Sequence, residues 1–146
     1  IVQNSHTIIR GSQDITANMA RILGISFEDA EVVKRNIGIG KTAEGVDTLE
    51  AVSLVADSIF AEANRFLFEF QKKRNANIKS VFLTGGGSAL KGFRDLAAEN
   101  FKVDVVSADP FGKVETPAFL ENILKVTGPE FTVAVGLALR CLEEIE

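Results

Sequence analysis

The residues best suited to hold a ligand are three consecutive glycines, Gly85, Gly86 and Gly87, followed by Ser88. The apolar run at residues 81–83 predicts a buried strand before them, and Ser88 opens a predicted helix that continues to about residue 99 or 100. Residues without Cβ let a ligand approach the backbone closely, and amides at a helix start point toward anionic or polar atoms. The stretch therefore predicts a binding site, while a tight turn that holds nothing explains the glycines equally well.

Two common phosphate-binding motifs do not fit this spacing. A dinucleotide fingerprint needs a third glycine at position 90, which is Leu90, and a P-loop needs Gly-Lys-Ser/Thr where residues 92–94 read Gly-Phe-Arg. Residues 40–42, Gly-Lys-Thr, imitate the end of a P-loop, but they follow a predicted helix and lack the upstream glycine, at Arg35. We interpret them as part of a connecting loop.

A second polar group has helical spacing. Ser26 is a predicted cap for a helix that runs to about residue 37, and Glu31, Lys34 and Arg35 share one face of it. From the residues alone, a solvated face with an internal ion pair is the favoured interpretation.

Composition excludes several classes of protein. The chain has 146 residues and a net charge of −4, which predicts one globular unit without the basic footprint of a nucleic-acid binder. Cys141 and His6 are the only residues of their types, so an internal disulfide is impossible and a His/Cys metal cluster is not expected. No apolar run approaches the roughly 18 residues of a membrane span.

The remaining pattern predicts mixed helices and strands. Strands are predicted at residues 1–2, 7–9 and 103–106, and helices at residues 15–23 with Asp14 as cap, 47–74 and 118–125. A last helix begins at Gly128-Pro129, with a predicted buried stripe of Phe131, Ala134, Val135, Ala138, Leu139 and Leu142. Alternation of strand and helix after residue 75 predicts parallel pairing. A strand at the very start suggests that an upstream part is missing.

Several stretches resemble one family. Residues 82–92, FLTGGGSALKG, are similar to the adenosine motif of the actin-like ATPase superfamily, apolar-x-Gly-Gly-Gly/Ser-x-x-x-Pro-Gly, with Lys91 in place of proline. Within it the chain most resembles the PilM proteins of type IV pilus assembly, relatives of FtsA. Residues 11–16 are similar to the family's Gly-Gly-x-x-Ile-Thr, with Ser12 for one glycine, and residues 133–139 to its Val-Ala-x-Gly-Leu-Ala-Leu.

The resemblance implies a fold and its subdivision. It implies an α/β fold, the C-terminal or second lobe of an actin-like (ribonuclease H-like) ATPase, with a mostly parallel sheet covered by helices and an inserted helical subdomain. Residues 1–146 would form this single lobe, residues 15–74 the helical subdomain, and residues 1–14 and 75–146 the sheet subdomain.

The resemblance also implies a nucleotide site. ATP or ADP would be the ligand, with Mg²⁺ carried by the missing part, and the chain would have weak or no ATPase activity and none alone. Adenine would lie between the glycine turn and the α-helical face, against the side chains or backbone of Gly85, Gly86, Gly87, Ser88, Glu31, Lys34 and Arg35.

Partners and location follow from the same resemblance. It implies a cytoplasmic protein held at the inner membrane by the cytoplasmic segment of a PilN-like pilus-assembly protein, without direct insertion, and it leaves self-association open. Two alternatives stay open: an interaction scaffold with a vestigial nucleotide site, indicated by Ser12 and Lys91, and the C-terminal lobe of a sugar- or acetate-kinase-like enzyme.

Overall fold

The structure, a computed structural model, describes residues 2–144 as a helix-rich α/β arrangement around one parallel pair of strands. Three short 3₁₀ turns lie between the longer elements, at Gly86–Ala89, Ala118–Leu120 and Gly128–Phe131. The helices and strands are α1 Ser12–Leu23, α2 Phe27–Asn36, α3 Leu49–Arg74, β1 Ser80–Leu83, α4 Phe93–Phe101, β2 Asp104–Ser107, α5 Glu121–Thr127 and α6 Thr132–Glu143.

The longest element of the described chain is helix α3. The periodicity of apolar residues predicts this helix. Its 26 residues span roughly 39 Å at about 1.5 Å per residue. Phe60, on its buried face, is only 2% exposed and contacts the rings of Phe93 and Phe101 at centroid distances of 5.5 and 5.3 Å. The same helix therefore joins the α1–α2 layer at its N-terminal half to α4 at its centre.

Helices α1 and α2 begin with different caps. The Ser26 hydroxyl accepts the Asp29 N–H at 3.0 Å, which confirms the predicted cap of α2. The predicted cap of α1 is wrong, because Gly11 occupies that position and Asp14 lies inside the first turn. The Asp14 carboxylate instead accepts the Gly11 N–H at 2.8 Å, so the helix starts three residues earlier than the pattern indicated.

The two strands pair in parallel, as predicted for this half of the chain. Ser80 is opposite Asp104 and Leu83 is opposite Ser107 in the register. Val105 of β2 and Ala97 of α4 are both buried, so α4 covers one face of the pair. Among residues 2–144, these two are the only strands.

The segment before α1 contains no strand. The predicted strand at residues 7–9 is wrong, and of the one predicted at residues 1–2, Ile1 lies outside the described residues. The segment instead contacts α3 through His6, whose ring stacks on Phe66 at 5.2 Å and whose Nε2 lies 2.8 Å from Glu62 Oε1. It is held by side chains rather than by a ladder of backbone hydrogen bonds.

Helices α5 and α6 have no buried residue. The predicted buried stripe of α6 is therefore wrong in this chain: of its members only Val135 and Leu139 are half-buried, while Phe131 is 48% and Leu142 62% exposed. The helix packs mainly against the preceding 3₁₀ turn, and no layer of the described chain covers it. No helix in residues 2–144 is both long and apolar enough to span a bilayer.

Candidate functional site

The glycine turn differs from the predicted continuous helix. Gly85 has φ +81°, a left-handed value that favours glycine, and the 3₁₀ turn Gly86–Ala89 follows it. Gly92, also at φ +81°, separates that turn from α4, so the predicted helix from Ser88 is wrong in its first turn. The Gly85 N–H donates to Pro129 O at 2.7 Å, and the Ser88 hydroxyl donates to Gly85 O at 2.7 Å. Both bonds fix the shape of the turn.

The space beside the glycines is largely open. A Cβ added to Gly85 or Gly87 would meet no atom within 4 Å, and one added to Gly86 would meet only Glu130, at 3.9 Å. A ligand can therefore approach the backbone of this turn at the three positions that the sequence singled out.

The ammonium group of Lys34 is turned toward α1 rather than toward the space beside the glycines. The residue is 7% exposed, and its Nζ lies 2.7 Å from Ser12 Oγ, 2.7 Å from Thr16 Oγ1 and 2.6 Å from Glu31 Oε2. An ammonium has three protons to donate, so these contacts satisfy it. Lys34 joins α2 to the first turn of α1.

Glu31 completes the same network. Besides Lys34, its carboxylate accepts the Thr16 hydroxyl at 2.7 Å and Arg35 Nε at 2.9 Å. Hydrogen bonds from Lys34, Arg35 and Thr16 to the charged form lower the pKa of Glu31 from 4.5 to about 2. The carboxylate is ionised across the physiological range and has few acceptor positions left.

Arg35 is the exposed member of this group. Its side chain is 77% exposed, and the hydrogen bond to Glu31 is the main cause that raises its pKa, with a smaller contribution from the charge of Glu130. The guanidinium therefore lies within electrostatic reach of the residue that borders Gly86.

The loop after α2 contacts the segment that follows the glycine turn. Ile39 N–H donates to Lys91 O at 2.9 Å, and a Cβ on Gly38 would lie 2.6 Å from that same oxygen. The Lys91 ammonium donates to Asn36 O at 2.6 Å, where the end of α2 leaves a carbonyl without a helical partner. The C-terminal end of α2 and the loop after it thus contact Lys91, three residues after Ser88.

Glu130 is the residue that sequence reasoning missed. It lies in the 3₁₀ turn Gly128–Phe131, which the Gly85–Pro129 hydrogen bond fixes beside the glycine turn. Its Cγ and Cδ are 3.9 and 4.0 Å from the Cβ position of Gly86. An exposed glutamate more than forty residues downstream carries no periodic signal, and only Pro129, as a helix-start residue, pointed to this turn.

One apolar cleft elsewhere in the described chain is a poorer site. An apolar cleft of about 170 Å³ lies beneath the segment before α1, between Ile8, Phe66, Val81 and Phe101. It is smaller than the roughly 300 Å³ at which ligand pockets begin and has one polar side chain, His6. No group of three or more metal-ligating side chains is found in residues 2–144.

These features define a class of protein: a helix-rich α/β unit in which the end of a polar helix contacts the segment after a strand–glycine turn. The comparison with protein families then gives the particular family. The model of the type IV pilus assembly protein PilM family matches residues 5–142, and the chain belongs to that family.

A solved structure agrees with this assignment. A chain of a PilM–PilN type IV pilus biogenesis complex is 30% identical to this one and superposes with a TM-score of 0.72. The match covers 88% of this chain and 36% of that one, so the present chain spans about a third of its structural relative. A comparison with curated proteins gives no significant match.

Proposed function

We propose that this chain is part of a PilM-like protein of type IV pilus assembly and forms the lobe that holds the adenosine end of ATP or ADP. The match of the PilM family model over residues 5–142 carries the pilus-assembly part of the proposal. It also favours that role over a sugar- or acetate-kinase lobe. The actin-like architecture rests on the same family relationship.

The contact between the end of α2 and Lys91, just after the glycine turn, supports the nucleotide part. The hydrogen bond from Ile39 to Lys91 joins the loop after α2 to a residue three positions after Ser88, and an adenosine site between α2 and residues 85–88 would need such an approach. The open space over Gly85 and Gly87 leaves room for a flat ring against the backbone. In this arrangement the stem of Lys34 and the Arg35 guanidinium would border the base, while the Gly86 and Gly87 backbone would form the opposite wall.

Nucleotide titration of a full-length PilM-type protein that carries this lobe tests the proposal. Gly86→Val should weaken ATP binding at least about tenfold, because the isopropyl group would enter the space assigned to adenine. The fold tolerates the change, since the added Cβ meets only the flexible Glu130 side chain at 3.9 Å. Gly136→Val is the matched control, because a Cβ there meets nothing within 4 Å and the position lies in α6.

Isothermal titration calorimetry gives the affinities, and far-UV circular dichroism verifies that both variants are folded. Equal ATP affinity in the wild-type protein and Gly86→Val would show that the glycine turn is not the adenine wall. Titrating the 146-residue chain by itself then tests whether the lobe binds nucleotide without the rest of a PilM-type protein.

An interaction scaffold with a vestigial nucleotide site is the second candidate, and a specific observation favours it. The Lys34 ammonium is saturated by contacts within the chain, and one of its acceptors is the hydroxyl of Ser12, the residue that departs from the family's glycine. A lysine whose three ammonium protons are all donated within the chain has none left to donate to a ligand. Normal pilus assembly by a protein that carries Lys34→Met and binds no nucleotide would support the scaffold.

Both candidate functions, the nucleotide-binding lobe and the scaffold, include a PilN-like partner. The structural relative is part of a PilM–PilN complex, and we infer by this likeness that the cytoplasmic segment of a PilN-like membrane protein holds the protein at the inner membrane. Co-purification with that segment, in the presence and absence of ATP, measures whether the two binding events are linked.

A further inference from the structure

The last two helices leave much apolar surface uncovered by the rest of the described chain. Seven of the seventeen large apolar side chains that are exposed among residues 2–144 lie in the segment 118–143, which is less than a fifth of the chain. A single exposed leucine needs no explanation, whereas a concentration of apolar side chains on one part of a surface marks a place that another body covers.

The exposed apolar side chains of α6 share one side of the helix. Val133 and Leu137 are 71% and 60% exposed and lie four residues apart, and the exposed Cys141 follows at the same spacing. At the edge of this side, Arg140 Nε and Glu144 Oε1 are 3.0 Å apart and neutralise each other. The side therefore has an apolar centre and a paired polar edge, as in a buried interface.

Helix α5 has the same character. Phe119, in the 3₁₀ turn before it, and Ile123 and Val126 follow the spacing of one helical side and are 80%, 57% and 69% exposed. The turn Gly128–Phe131 connects α5 to α6 and packs against both helices. One shared turn therefore holds the two exposed apolar sides, which we call the α5–α6 surface.

The structural relative is much longer than the stretch that matches this chain, and this difference points to the occupant. The match is 88% of this chain but 36% of the relative, so nearly two-thirds of that protein lies outside the matched region. A tethered segment meets a surface at an effective concentration on the order of millimolar, above that of most separate partners. Permanent interfaces are also the most apolar ones. Both arguments favour a contact within one polypeptide over a second copy.

We propose that the α5–α6 surface packs, in a full-length PilM-type protein, against the part of the same polypeptide that lies outside residues 1–146. The inference depends on the family relationship and not on nucleotide binding. It also gives the surface a second effect, because the Pro129 carbonyl in the turn between the helices accepts the Gly85 N–H at 2.7 Å. A contact that fixes α5 and α6 therefore also stabilises the shape of the glycine turn.

The thiol of Cys141 is a reporter of this contact, because it lies on the proposed surface and is the only cysteine of the chain. In a full-length PilM-type protein that carries this lobe, the thiol should react with dithionitrobenzoate at least about tenfold more slowly than after unfolding in guanidinium. Cys141→Ser gives the background from any other cysteines. Glu143→Cys in that background is the matched control, since it lies about 200° further round α6 and should react at nearly the unfolded rate.

A charge placed on the surface gives an independent measurement. Leu137→Asp should lower the midpoint of thermal unfolding of the full-length protein by several degrees, because the contact would bury an unpaired carboxylate. Phe68→Asp on α3, at a position 66% exposed and outside the proposed surface, is the control and should leave the midpoint unchanged.

Protection of Cys141 that persists on dilution, without any added partner, supports the inference. A Cys141 thiol that reacts as fast as the thiol of Glu143→Cys overturns it, and so does an unchanged midpoint in Leu137→Asp. Protection that is lost on dilution would assign the surface to a second copy, and protection that requires an added PilN-like segment would assign it to that partner; either result overturns the inference. None of these outcomes depends on ATP affinity, so the proposed nucleotide site is tested separately.

Discussion

Replacing Glu31 by glutamine tests the network between α1 and α2 most directly. Donors from Lys34, Arg35 and Thr16 lower the pKa of Glu31 to about 2 in the folded chain, from an ordinary value of 4.5. At about 1.36 kcal/mol per pKa unit, this corresponds to an upper bound of about 3 kcal/mol. Because the side chain is 30% exposed, solvent screening lowers the expectation to about 2 kcal/mol.

The direction of the pH dependence follows from the lowered pKa. The unfolded chain takes up a proton on this carboxyl near pH 4.5, whereas the folded chain does so only near pH 2. The stabilisation is therefore complete above about pH 5.5 and disappears as the pH falls from about 4.5 to 2. The difference between the wild-type protein and Glu31→Gln should follow that curve.

Urea unfolding of the 146-residue chain at pH 7, 5, 4 and 3, followed by circular dichroism, measures this difference. Glu121→Gln is the matched control, because Glu121 Oε1 and Lys125 Nζ are 2.7 Å apart but 61% and 65% exposed. That exposed pair should contribute nothing measurable. The reasoning fails if both variants lose the same stability at pH 7, or if the Glu31→Gln difference persists unchanged at pH 3.

Three further changes test the packing, each by the same unfolding measurement. Phe60→Ala should cost about 3–5 kcal/mol because it empties a fully buried site, whereas Phe68→Ala, at a position 66% exposed, should change little; equal losses would contradict the assigned core. Gly92→Ala should lower the free energy of unfolding by about 1–3 kcal/mol, since φ is +81° and the new Cβ would lie 2.9 Å from the Cβ of Ile39. Gly136→Ala in α6 should raise it by about 0.5–1 kcal/mol, and the opposite signs would exclude this account of the two glycines. Ser26→Ala should cost about 1 kcal/mol through loss of the α2 cap, and an unchanged midpoint would mean that water replaces it.

Local signals in the sequence predicted much of the fold. The apolar repeat without Gly or Pro predicts α3 to within two residues, and the serine followed three residues later by aspartate predicts the start of α2. The alternation of β1, α4 and β2 predicts their parallel pairing. These features depend on residues close together in the chain, which is why a single sequence contains them.

Features that depend on distant partners could not be predicted in the same way. An apolar stripe on α6 indicates that a partner is needed, but it does not indicate whether residues 2–144 contain one, and they leave Phe131 and Leu142 of that stripe exposed. The helix after the glycine turn was predicted one turn too early because the backbone at Leu90 is extended, with ψ 123°, and Gly92 is left-handed. Glu130 reaches the site only through a contact between Gly85 and Pro129, 44 residues apart.

The site residues were only partly predictable for the same reason. The spacing of Glu31, Lys34 and Arg35 predicted a shared face, yet Lys34 turns toward Ser12 and Thr16 on α1 while Arg35 stays exposed. Helical spacing gives the direction of a side chain from its own axis. It gives no information on which neighbouring element offers the better acceptors.

Both positions that depart from the family's motifs, Ser12 and Lys91, make hydrogen bonds to α2. Ser12 accepts a hydrogen bond from Lys34 and Lys91 donates one to Asn36 O, both in the last turn of α2, while Gly38 and Gly92 leave no gap between the adjoining loops. The helix is consequently anchored at two points to segments about eighty residues apart in the chain. Movement of the last turn of α2 would have to break both hydrogen bonds at once, so α1, this turn and the segment after the glycine turn should respond to force or to a bound molecule as one rigid unit.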